Sequence, residues 1–249
     1  MHGMIRIAAA GDIHCRPEDR DRILAEFAGL RGCTDLVLLA GDLTTHGEPE
    51  QAAVLAEACA GLDVPVVAVL GNHDWHCDRA GEVVGVLDEA GITVLDRSSC
   101  VTRVGDVDVG VVGAKGFVGG FPGSHLPDFG EPLLRAVYRE ASQDIDAIAA
   151  GLRELAMCPV RIVLLHYAPT DETLAGEPPG IWPFLGTDRL AAPIAEHEPD
   201  LVLHGHAHAG TFEGRIGDVP VRNVSVPVLR APFWHHELAV AERAPAPIH

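Results

Sequence analysis

Aspartate, asparagine and histidine recur in five short islands along this 249-residue chain: Gly11-Asp12-Ile13-His14, Gly41-Asp42, Gly71-Asn72-His73-Asp74, His166 and Gly205-His206-Ala207-His208. Carboxylate, amide and imidazole groups are the donors that borderline and hard divalent cations prefer, and no thiolate is needed among them. Hydrolysing a phosphate ester requires charge neutralisation on the phosphoryl oxygens, a hydroxide at neutral pH and help for the leaving group. Two divalent ions roughly 3.5–4 Å apart supply the first two together. Such a pair needs mixed carboxylate and imidazole ligands with one carboxylate shared, and the islands contain that set.

Each island alone has a plain structural explanation. Gly-Asp after a strand is an ordinary turn, His166 after an apolar run reads as a hydrogen-bonded core histidine, and His206 and His208 fit an alternating surface strand. Gly71-Asn72-His73-Asp74 is more telling, because three consecutive polar side chains at a buried strand end are costly without a purpose. The islands' joint occurrence, in order and mostly behind strand-like runs, favours a built site. His204 is a candidate to orient a ligand, and His76 and His125 are candidates to line the cleft.

The elements that must hold these residues follow from periodicity. Ile5 to Ala10, Leu36 to Ala40, Val64 to Leu70, Val107 to Val112, Arg161 to Leu165 and Leu201 to Leu203 are short, mostly apolar runs stopping at Gly, His or Asp, the pattern of buried strands. Pro17 to Leu30, Pro49 to Gly61, Arg79 to Ala90, Glu131 to Met157 and Thr187 to His197 carry helical spacing, with Pro near two starts and Gly after two ends. Strand and helix alternate through the first hundred residues, which predicts parallel βαβ units. Thr211 to Glu213, Val219 to Val224 and His236 to Val240 predict antiparallel strands of a second sheet. The ligands then emerge where strands end and loops begin, the usual place for a site in an open α/β sheet.

The order Asp-x-His, Gly-Asp, Gly-Asn-His-Asp, His, Gly-His-x-His resembles the calcineurin-like metallophosphoesterase family over residues 11–208. That resemblance implies an α/β, four-layer α-β-β-α sandwich, the metallo-dependent phosphatase fold: two mixed β-sheets flanked by helices. It also implies two divalent metal ions, Mn²⁺ favoured and Fe or Zn²⁺ open. Asp12, His14 and His208 would hold one; Asn72, His166 and His206 the other; Asp42 would bridge them together with the attacking water or hydroxide. His73 would face the substrate and stabilise or protonate the leaving oxygen, with Asp74 orienting it. Purple acid phosphatases of this family carry tyrosine where Thr45 stands, and protein Ser/Thr phosphatases supply an arginine just after the bridging aspartate, where this chain reads Leu43-Thr44-Thr45-His46-Gly47. The segment is more similar to small bacterial phosphodiesterases. A phosphodiesterase on small soluble esters is therefore expected, with a phosphomonoesterase or a non-catalytic metal-binding scaffold as the alternatives.

Thirty-six acidic against eighteen basic residues give a formal charge of −18, which repels nucleic acid and anionic membranes. A small-molecule phosphate ester is the expected partner, with no nucleic acid and no membrane. Arg16, Lys115 and Arg189 are candidate cations for its recognition. Two loop-like stretches, the Gly/Phe-rich residues 114–130 and the Pro/Trp-rich residues 170–186, are expected to rim the cleft, where rings could stack on a base or aryl group. Six cysteines without a C-x-x-C pair read as reduced, partly buried thiols. With no leader-like N-terminus and no apolar run near the roughly 20 residues of a membrane helix, a cytoplasmic protein is expected. A single domain over residues 1–242 is expected, followed by a flexible tail over 243–249, with a possible homodimer through Val226 to Trp234.

Overall fold

The computed structural model describes residues 3–240, so the tail expected over 243–249 lies outside the described residues. Four parallel strands open the chain: β1 (Met4–Ala10), β2 (Leu36–Ala40), β3 (Val66–Val69) and β4 (Thr93–Leu95). They alternate with helices α1 (Arg20–Ala28), α2 (Pro49–Cys59) and α3 (Ala80–Glu89). Pro49 sits in the first turn of α2, where its missing N–H costs nothing. Gly91, just beyond α3, takes the left-handed conformation at φ +81° that a side chain disfavours.

The second sheet comprises β5 (Ser98–Val104), β6 (Val107–Ala114), β7 (Val160–Leu165), β8 (Leu201–His204), β9 (Glu213–Ile216) and β10 (Val219–Asn223), in the order β5-β6-β7-β8-β10-β9. It is flanked by α4 (Pro132–Glu154) and α5 (Ala191–His197). A short helix α6 (Val226–Leu229) leads to β11 (Trp234–Ala239). Here the expectation for the C-terminal part needs correcting. β9 and β10 do pair antiparallel in the second sheet, but β10 is parallel to β8, and β11 crosses back to the first sheet as the antiparallel neighbour of β1, Ile7 facing His236. The first sheet is thus β11-β1-β2-β3-β4.

Side chains alternate across a strand, and this divides the core into layers. Ala8, Ala10, Val37, Leu39 and Ala68 pack against Ile23, Phe27, Leu55 and Leu87 of the first helical layer. Their neighbours Ile7, Ala9, Leu38, Ala40, Val67 and Val69 face the other way, onto Val109, Val111, Ile162, Leu164 and Leu203 of the second sheet. Val112, Val163 and Val202 turn outward to Ile148, Leu152 and Ile194. The result is a four-layer α-β-β-α sandwich, and each large aliphatic side chain buried in it contributes roughly 1.5–3 kcal/mol.

Part of the stretch from Val226 to Trp234 packs within the chain: Phe233 stands edge-on to Phe27 at 4.9 Å, and Leu229 and Trp234 lean on the inter-sheet core, while Pro227 and Arg230 to Pro232 are exposed. Cys15, Cys59 and Cys158 are buried while Cys33 and Cys77 are exposed. No helix among the described residues is long and apolar enough to cross a membrane.

Candidate metal centre

Parallel pairing brings the strand ends of both sheets to one edge. Ala10 pairs with Leu39 and Ala40 with Val69, so Asp12, Asp42 and Asn72, two or three residues further on, leave neighbouring strands side by side. His166 follows β7 directly, and His206 and His208 follow β8, its parallel neighbour. The loops turn back sharply. Asp12, His14, Asp42 and His206 all have left-handed backbones, with φ of 58°, 50°, 48° and 67°, a conformation that costs an L-residue roughly 1–2 kcal/mol. Strain gathered at one cluster is characteristic of a functional site.

Glycines permit the close approach. A Cβ on Gly41 would lie 2.6 Å from His166 Nδ1, one on Gly205 would collide with the Asp12 carboxylate, and one on Gly71 with Asp42.

All seven expected ligand residues meet here. Asp12, His14, Asp42 and His208 each offer a donor atom within 4.8 Å of the others, and Asp42, His166 and His206 form a second such group. Asp42 belongs to both. Its Oδ2 lies 3.8 Å from His14 Nε2 and its Oδ1 3.3 Å from His166 Nε2. Asn72 Oδ1 is 2.9 Å from His166 Nε2.

The donor chemistry tests whether divalent ions fit. His166 Nδ1 faces the Ala40 carbonyl at 2.9 Å and must donate to it. Nε2, the ring atom left over, faces two oxygens, those of Asn72 at 2.9 Å and Asp42 at 3.3 Å. An imidazole nitrogen, an amide oxygen and a carboxylate oxygen converging in this way are a donor set suited to a divalent cation. His206 behaves likewise: Nε2 donates to the Phe184 carbonyl at 3.1 Å, which leaves the Nδ1 lone pair free. Backbone carbonyls thus select the tautomer, as they do for metal-binding histidines. The residues present fit the ions.

Burial lowers the pKa of His14 and brings His206 down to about 3, keeping both in the neutral, electron-donating form. Burial opposes ionisation of Asp12, but its hydrogen bond to His208 and the charges of His166 and His208 outweigh this and hold it well below the usual carboxylate range. The same 2.8 Å contact raises His208. His204 is fully buried between the Gly205 carbonyl, 2.8 Å from Nδ1, and the Thr173 hydroxyl, 2.9 Å from Nε2. Burial pushes it down to about 4, and it braces the glycine turn that presents His206.

His73 projects into the same space, its ring 4.6 Å from that of His14 and its Nε2 3.8 Å from Asp42. The expectation that Asp74 orients it is corrected: His73 Nδ1 donates to the Thr45 carbonyl at 2.8 Å. Asp74 is wholly buried and accepts instead from the backbone N–H groups of Leu43, Thr44 and Gly71 and from the Thr44 hydroxyl. It ties the Gly41-Asp42 loop to the Gly71-Asn72 loop. Burial raises its pKa against those hydrogen bonds.

With this geometry in place, the comparison with known proteins is direct. Residues 5–210 match the family described as calcineurin-like phosphoesterase. The chain belongs to that family. No curated protein sequence matches it. Among solved structures, the phosphopantetheinyl hydrolase PptH from Mycobacterium tuberculosis superposes with a TM-score of 0.66 at 15% identity, covering 98% of both chains. TT1561 of Thermus thermophilus gives 0.59 at 19% identity, covering 96% of this chain and all of that one. GAP50, the anchor in the inner membrane complex of Plasmodium, gives 0.57 at 11% identity over 90% of this chain and 72% of its own. At these identities the likeness establishes the fold alone, and an anchor on the same fold shows that function must be argued from the site.

Several groups at this family site carry no motif. The carbonyls of Thr45, Ala40 and Phe184 set three imidazoles, and Tyr167, next to His166, lays its ring 4.3 Å from that of His206. His76 lies against His73, their tilted rings 4.2 Å apart, whereas His125 pairs with Asp188. Of the three candidate cations, Arg16 is held by Asp19 and Arg189 lies over Tyr138 while bonding Ser142. Lys115 lies beside Asn72 and Tyr167, in a pocket next to the centre.

Proposed function

We propose that this chain hydrolyses phosphate esters of small soluble molecules in the cytoplasm, diesters in preference to monoesters, with two divalent ions, Mn²⁺ before Fe or Zn²⁺. Asp12, His14 and His208 would hold one ion, Asn72, His166 and His206 the other, and Asp42 both. The observation that carries this reading is Asp42's membership of two donor groups at once. When bound, the ions neutralise the phosphoryl oxygens and make hydroxide available near neutral pH.

The chain's own groups do the rest. Carbonyls of Ala40 and Phe184 keep His166 and His206 in the tautomers that donate electrons. The Thr45 carbonyl fixes the His73 ring so that Nε2 faces the site. Protonated there, His73 gives that proton to the departing alcohol oxygen as the phosphorus–oxygen bond breaks, and water supplies the oxygen of the new bond.

Preference for diesters is supported by charge. The chain carries a formal charge of −18, and of the three candidate cations Arg16 and Arg189 are engaged elsewhere, leaving Lys115 alone beside the centre for a dianion that carries one more charge than a diester. The same charge argues against nucleic acid as substrate. Metal analysis of the purified protein, combined with turnover on a panel of aryl diesters, alkyl diesters and monoesters, tests the reading. Ion-dependent hydrolysis with diesters favoured is the expected result; an ion-loaded protein inert on the whole panel would overturn it.

A further inference from the structure

A pocket of about 330 Å³ opens beside Asn72, lined by Asn72, Trp75, Lys115, Phe117, Glu140 and Tyr167. Its volume lies at the lower end of the roughly 300–1,000 Å³ typical of small-molecule sites. Asn72 is shared with the candidate metal centre, so a ligand bridging both would have its phosphate at one end and an organic group at the other.

The walls define that group. Trp75 is 45% exposed, a large apolar surface left open on a loop that also supplies Asn72 and His73. Phe117 and Tyr167 lie across from each other with ring centroids 6.1 Å apart. Lys115 follows the last residue of β6 and its carbonyl receives the N–H groups of His166 and Tyr167, which anchors it at the edge of the centre. Its ammonium lies 4.4 Å from the Phe117 ring centroid and 5.1 Å from that of Tyr167. Among the described residues only one of its three donors is used, on the Gly116 carbonyl at 3.1 Å. Aromatic faces favour a flat unsaturated ring, by stacking or edge contact. An ammonium with unused donors favours an acceptor on that ring. Glu140 at the rim, already joined to Arg97, weighs against a second full anion.

We propose that this pocket holds the organic half of the ester and that this half is a flat heteroaromatic ring bearing a hydrogen-bond acceptor, of the nucleobase kind, received by Lys115 and lying against the aromatic wall that Phe117, Tyr167 and Trp75 form. The placement relative to the phosphate rests on the ester-hydrolase reading above; the ring chemistry does not. Lys115 and the three rings are then specificity-determining residues.

The test separates the two. Adenosine, which carries no phosphate, is titrated into the ion-loaded full chain while tryptophan emission is followed. Quenching is expected, with loss of the signal in Trp75→Phe and about tenfold weaker binding in Lys115→Met, which keeps the aliphatic stem but removes the donor. In turnover, the ratio of kcat/KM for adenosine 5′-(methyl phosphate) to that for diglyceryl phosphate should fall about tenfold in Lys115→Met, carried by KM. Phe117→Leu should lower the same ratio. Adenosine binding without turnover of any ester supports the ring pocket while overturning the hydrolase reading. Unchanged emission, or a ratio unmoved by both variants in an active enzyme, overturns the pocket assignment.

Discussion

Two buried clusters of charge in this molecule are built on opposite plans. Around Asp42, carboxylate, amide and imidazole groups meet with no lysine or arginine among the seven candidate ligands. Around Asp144 of α4, the chain supplies its own cation: Arg97 bonds Asp144 at 2.5 Å, Gln143 at 2.6 Å and also Glu140. The backbone strain differs too, since left-handed residues crowd the first cluster while Arg97, at φ 51°, is the one such residue in the second. The second cluster, neutralised by its own guanidinium, ties α4 to the loop between β4 and β5. The one in which imidazole, amide and carboxylate atoms converge is suited to ions from outside, and its strain is carried by the rest of the fold.

Removing the shared carboxylate should break this contrast most severely. Asp42→Ala is expected to abolish turnover and to lose both ions on metal analysis; a variant that kept its full ion complement would show that the two donor groups are independent. His73→Ala should lower kcat by about 10²–10⁴-fold with metal content intact, and most for esters with poor leaving groups, a dependence that steady-state kinetics across an ester series would reveal.

In the Arg97 cluster the readout shifts from activity to stability. Arg97→Ala leaves Asp144, 2% exposed, buried without its partner, at an expected cost of about 3 kcal/mol in urea unfolding, with bound metal unchanged. Burial already raises the Asp144 pKa, and loss of the guanidinium raises it further. The folded variant therefore takes up a proton more readily than the unfolded chain, so the deficit is largest at neutral pH and narrows as the pH falls and Asp144 becomes neutral. A pH-independent deficit would show that Arg97 acts by packing rather than charge. Smallest is Asp74→Asn, which replaces one acceptor oxygen of a carboxylate taking four hydrogen bonds with a donor group. Competition with a metal chelator should show ion affinity about 10–100-fold weaker, through the loops rather than through the ligands.

The parts legible in sequence were those whose cause is local. Leu36 to Ala40 is a strand residue for residue, because a fully buried parallel strand is uniformly apolar. The edge strand β5 was not legible, since Ser98, Thr102 and Arg103 interrupt any apolar pattern on a strand whose residues are all at least partly exposed. The partner of β11 is decided by residues more than two hundred positions away, and no short window encodes that pairing. In the centre, the ligands could be read because their side chains are the chemistry. The groups that orient them could not: Ala40, Thr45 and Phe184 act through main-chain carbonyls, which every residue possesses. Asp74 was misjudged for the same reason, because adjacency to His73 along the chain says nothing about where a buried carboxylate finds its donors.

The contact between Asp12 and His208 joins residues 196 positions apart. During synthesis, then, the centre has no competent half: β1 to β4 can already be paired, with Asp12 and Asp42 in place, while every histidine from the second sheet is still to emerge. Closing so long a loop is slow and comes late. Capture of ions from the surroundings is thereby deferred until nearly the whole chain has left the ribosome, and a truncated product ending before residue 166 would carry the aspartates without the imidazoles that complete the trap.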